Sequence, residues 1–75
     1  MDVNYNNILI FATNIKTKAD KEFVSDILSQ DTVIQCWSVD LEDIDCVLRI
    51  ESKILTAIDI IKIINILGFK CKELE

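Results

Sequence analysis

At 75 residues, 51% of them apolar, with one glycine and no proline, the chain is expected to form one small domain over 1–75 rather than a linker or a loop-rich scaffold. A net charge of −5 with its eight basic residues scattered argues against nucleic acid phosphates or anionic lipid as partners. The apolar stretches are broken by Asp59 and Lys62, so no membrane insertion is expected, and three cysteines without paired spacing, behind a polar start with no signal-peptide regions, point to free thiols in the cytoplasm.

In chain order, Ile8 to Thr13 is a short apolar run of strand formers. From Ala19 to Gln30 the apolar residues Phe23, Val24, Ile27 and Leu28 have the spacing of one helical face. Ahead of them, Thr17 suits an N-cap, and Asp20 lies three residues on, where its carboxylate can reach back to the cap's N–H. Thr32 to Leu41 alternates, with Val33, Trp37 and Val39 on one face and Ile34, Cys36 and Ser38 on the other. Asp45 to Glu51 alternates again, with Cys46, Leu48 and Ile50 on one face. Leu55 to Leu67 reads as a second helix closed by Gly68, which takes a left-handed position at no steric cost, and Phe69 to Leu74 as a last strand.

Strand, helix, strand, strand, helix, strand is the order of an α+β, ferredoxin-like βαββαβ two-layer sandwich, an antiparallel sheet with two helices on one face. The expected spatial strand order is 4-1-3-2. With Glu42-Asp43 as the tip of the middle hairpin, Val39 would face Cys46 and Trp37 would face Leu48, which puts both apolar sets on one side.

Two places could carry ligand chemistry. At the corner between the first strand and the first helix, Thr17 and Asp20 sit among Lys16, Lys18 and Lys21. That arrangement reads as a plain cap, or as an anion held at free helix N–H groups. The second place is the acidic hairpin, where Asp40, Glu42, Asp43 and Asp45 fall within six residues. It reads as a solvated turn, or as a hard-cation site that lacks the glycine and closing glutamate of an EF-hand. The three cysteines are placed apart, Cys46 and Cys71 toward the core and Cys36 on the open face, so they are not expected to converge on one ion. No histidine is present to activate a cysteine or serine, so no catalytic residue, cofactor or enzyme activity is expected. An acylphosphatase-like site on this topology would want an arginine at the strand–helix corner, and an amino-acid-sensing domain would want a glycine there; neither residue is present.

Several residues resemble the heavy-metal-associated domain, the small module of copper chaperones and metal-transporting ATPases. Val24-x-x-Ile27-Leu28 resembles its helix pattern V-x-x-A-L, Leu67-Gly68-Phe69 its closing helix-glycine-aromatic signature, and the order of all six elements matches as well. The resemblance covers nearly the whole chain and implies the same fold. The family's metal motif, M-x-C-x-x-C, falls on Ile15 to Asp20, so Ile15 takes the place of the methionine, Thr17 of the first cysteine and Asp20 of the second. Monovalent copper needs thiolates, which a hydroxyl and one carboxylate do not replace. The implied metal transfer therefore does not carry over.

The second helix is apolar around more of its circumference than one sheet face can cover, and the first strand has Ile8, Ile10 and Ala12 on one face and Leu9 and Phe11 on the other. These features lead to the expectation of a small cytoplasmic binding module without the thiolate site, acting through a protein partner or as a homodimer. The expected contact surface is the open sheet face with Leu9 and Phe11, plus the flank of the second helix. The alternative is non-thiolate metal or small-ligand binding at the corner or the acidic hairpin.

Overall fold

The computed structural model describes residues 7–74; the polar start read above lies outside them. The elements are β1 (Asn7–Thr13), α1 (Lys18–Leu28), β2 (Cys36–Val39), β3 (Leu48–Ser52), α2 (Ala57–Ile66) and β4 (Cys71–Glu73). One sheet runs β2-β3-β1-β4, and the β1–β3, β1–β4 and β2–β3 pairs are all antiparallel. This is the ferredoxin-like α+β fold expected from the element order, and the expected strand order read from its other edge. Among the described residues no helix is long and apolar enough to cross a membrane.

The core explains why these segments fold together. Phe11 of β1 and Leu48 and Ile50 of β3 are fully buried with Val24 of α1 and Ile60 and Ile64 of α2. Val24 and Leu28, and Ile60 and Ile64, are each four residues apart, so each helix lays one stripe on the same sheet face. Full burial of such side chains is worth about 1.5–3 kcal/mol apiece, and in so small a domain these few contacts hold most of the fold.

Two expectations need correction. Val39 pairs with Leu48 and Trp37 with Ile50, not with Cys46 and Leu48. The shift is two residues, so every side chain keeps its face. It arises because the turn is longer than a two-residue tip: Asp40 N–H still donates to Val47 O at 2.9 Å, and the turn runs from there through Asp43 and Cys46. Leu9 and Phe11, placed on the open face above, lie instead under the helices, opposite Ile50 and Leu48. The central strand must bring its largest ring into the core, and the other parity leaves Ile8, Ile10 and Ala12 for the open face, with Ile8 58% exposed.

The α2 C-terminus takes the form its sequence announces. Gly68 has φ +99°, its N–H donates to Asn65 O at 3.0 Å, and Phe69 N–H donates to Ile64 O at 3.1 Å, the paired bonds of a Schellman end. An added Cβ at Gly68 would meet nothing within 4 Å. The backbone angle, not space, demands the glycine.

Candidate functional site

The strand–helix corner and the acidic hairpin meet at one end of the molecule. Thr13, the last residue of β1, joins them: its N–H donates to Asp45 O at 2.9 Å, and its hydroxyl donates to Cys46 O at 2.7 Å while accepting from Ile15 N–H at 3.2 Å. Asn14 fastens the other side of the corner, its side-chain oxygen accepting Lys70 N–H at 2.7 Å just ahead of β4.

At the corner, Thr17 and Asp20 form a complete capping box. Thr17 Oγ1 accepts Asp20 N–H at 3.0 Å, and Asp20 Oδ2 accepts the N–H groups of Thr17 at 3.3 Å and Lys16 at 3.2 Å. The Thr17 hydroxyl and the Asp20 carboxylate are thus engaged in starting the helix. Ile15, two residues before the cap, is 0% exposed and belongs to the core.

The hairpin carboxylates act largely on their own backbone. Asp40 Oδ1 accepts Glu42 N–H at 3.0 Å and Asp43 Oδ1 accepts Asp45 N–H at 2.8 Å, two successive Asx turns. Cys46 closes the loop with φ 44°, a left-handed conformation unusual for a residue with a Cβ. It is held there by its N–H donating to Asp43 O at 2.9 Å and by the Thr13 hydroxyl on its carbonyl. Glu42, Asp43 and Asp45 remain exposed, and Ile44 between them is 94% exposed.

Of the expected candidates, the structure brings Thr17 together with Asp20, and Asp40 and Asp43 into one turn. Among the described residues no three Asp, Glu or Cys side chains are grouped so as to hold a metal ion. Cys36 is exposed on edge strand β2, Cys46 is buried in the hairpin base and Cys71 is half-buried on β4 opposite Thr13. Burial pushes the Cys71 thiol up to about 11, which keeps it a thiol at neutral pH and a poor nucleophile or ligand.

Three features escape a reading of the sequence. Ser52 is 0% exposed, and its hydroxyl donates to Val33 O at 2.7 Å while accepting the N–H groups of Ile54 and Leu55 at 3.1 Å each. Its signal was a polar residue continuing the buried alternation Leu48, Ile50, Ser52. The second is another capping box, Thr56 with Asp59, at the start of α2. The third is an open cleft of about 490 Å³ between α1 and β2, lined by Lys18, Lys21, Glu22, Ser25, Trp37 and Ser38. A neighbouring hollow of about 370 Å³ lies under the hairpin among Ser38, Asp40, Asp43, Val47 and Arg49.

Comparisons with protein-family models, with curated proteins and with solved structures found no match.

Proposed function

We propose that the chain is a small cytoplasmic binding module of heavy-metal-associated type in which a helix cap occupies the place of the thiolate site, and that it acts through protein contact or self-association. One observation carries this reading: large apolar side chains stand in solvent on both helices and in the hairpin. Ile58 is 65% and Ile66 83% exposed on α2, Phe23 is 49% exposed on α1, and Ile44 is 94% exposed at the hairpin. Scattered exposed apolar residues are ordinary. So many of this size on a chain with so small a core are better accounted for by a partner that covers some of them. The engaged carboxylates at both candidate ligand sites and the raised Cys71 thiol favour contact over chemistry.

Sedimentation of the full chain over a concentration series tests the proposal, with pull-down as the second arm. Reversible association at high concentration, weakened by polar substitution of an exposed isoleucine, is the expected result. A monodisperse monomer at every concentration, together with no stable partner, would sink it.

A further inference from the structure

At the end of the molecule where β1 meets α1, an acidic knob lies beside a basic cleft. The knob is Ile44, flanked by Asp43 and Asp45 and carried on a loop held by two Asx turns and by the Thr13 bonds to its base. A loop fixed in this way loses little conformational freedom on docking. The cleft is lined by the half-buried Trp37 and by Lys18 and Lys21, with Glu22 as its one carboxylate. Lysine stems extend apolar surface while their ammonium groups stay at the edge. An isoleucine between two carboxylates thus matches, in polarity and charge, a cleft that a tryptophan and two lysines line.

Two further facts decide the occupant. Ile44 is 94% exposed, so it does not fill the cleft of its own chain. Each copy carries a net charge of −5, so two copies repel in most orientations, and an approach that brings the acidic tip against the lysines is the one that charge favours. Knob and cleft also adjoin, since Ser38 lines both the cleft and the hollow that Asp40 and Asp43 border. Adjacent complementary features allow one two-fold rotation to make both contacts at once and close the assembly as a dimer.

We propose that two copies of this chain associate by seating the Asp43-Ile44-Asp45 tip of each in the Lys18–Lys21–Trp37 cleft of the other. This rests on the binding-module reading and names its partner and surface.

Sedimentation velocity on the full chain tests it with three variants. Ile44→Asp weakens the dimer tenfold or more, on the order expected for a central apolar anchor. Lys18→Glu with Lys21→Glu weakens it comparably, and adding Asp45→Lys to that chain restores it in part. Salt near 0.5 M weakens the wild-type dimer several-fold. Ile44 and Lys18 are exposed, and a glutamate in the first turn of α1 suits the helix dipole. Unchanged thermal melting therefore separates lost association from lost folding. A wild-type dimer indifferent to all three variants overturns the knob-in-cleft contact while leaving self-association standing. A wild type that stays monomeric overturns the contact, and an added acidic peptide shifting the cleft amides of such a monomer does so as well by naming a different occupant. The binding-module reading itself falls only if no partner of any kind is found.

Discussion

Helix α1 begins Thr17-Lys18-Ala19-Asp20 and α2 begins Thr56-Ala57-Ile58-Asp59, and in both the threonine accepts the aspartate N–H while the aspartate carboxylate reaches back to the threonine N–H. The first box lies at the corner where ligand chemistry was an expectation; the second lies at a corner that nothing marks as functional. A device that recurs at both pseudo-symmetric helix starts belongs to the fold, and this weighs against a ligand site at Thr17 and Asp20. What differs is what surrounds the caps. Two residues before the first cap is Ile15, 0% exposed; two residues before the second is Ile54, 68% exposed. The helix ends differ as well. α1 unwinds through Ser29 in a right-handed conformation, with Gln30 and Asp31 still bonding back to Ile27 and Leu28. α2 stops abruptly at Gly68.

The largest test of this contrast is at the paired positions before the caps. Ile15→Ala is expected to cost about 2–5 kcal/mol, the range for deleting a buried isoleucine, and Ile54→Ala to stay within about 0.5 kcal/mol, both measured by urea denaturation. Equal costs would mean that the first corner is not anchored in the core. The helix ends come next. Gly68→Ala should cost about 1–2 kcal/mol because an L side chain resists φ +99°, whereas Ser29→Ala should change stability by less than about 0.5 kcal/mol. A neutral Gly68→Ala would show that the end of α2 relaxes out of its left-handed turn.

Much of this is legible in the sequence. The helical spacing of Phe23, Val24, Ile27 and Leu28, the Thr17–Asp20 box and Gly68 give element order, the face of α1 and the helix ends, because each depends on residues close in sequence. The exposed isoleucines of α2 were foreseen too, from an apolar surface wider than one sheet face can cover. The hairpin register was not, since it depends on two Asx turns and a left-handed Cys46 that alternation does not encode. The parity of β1 was equally hidden, because a strand apolar on both faces gives no sign of which face meets the helices. Thr56–Asp59 has the T-x-x-D spacing of Thr17–Asp20, but in so apolar a segment Asp59 reads first as a break in the hydrophobic run. The cleft under α1 joins residues from α1 and β2, and no local pattern announces it.

At the caps themselves the two halves should behave alike. Thr17→Ala and Thr56→Ala are each expected to cost about 0.5–2 kcal/mol. A much larger loss at Thr17 would revive a special role for that corner. The second box also carries a pH signature. The Thr56 backbone N–H, donating to Asp59 Oδ2 at 2.9 Å, holds the Asp59 carboxyl below its ordinary 3.8; the Thr56 hydroxyl at 3.1 Å adds to this, Lys62 contributes less, and a slight burial opposes them. A carboxyl whose folded value is depressed stabilises the native state fully above its unfolded value and loses that contribution as pH falls through the folded one. Asp59→Asn should therefore widen the stability gap to wild type at pH 7 and narrow it near pH 2, read as the difference between urea midpoints. A gap of the same size at both pH values would mean that the carboxylate's charge contributes nothing to the cap, and that the box works through the geometry of its hydrogen bonds alone.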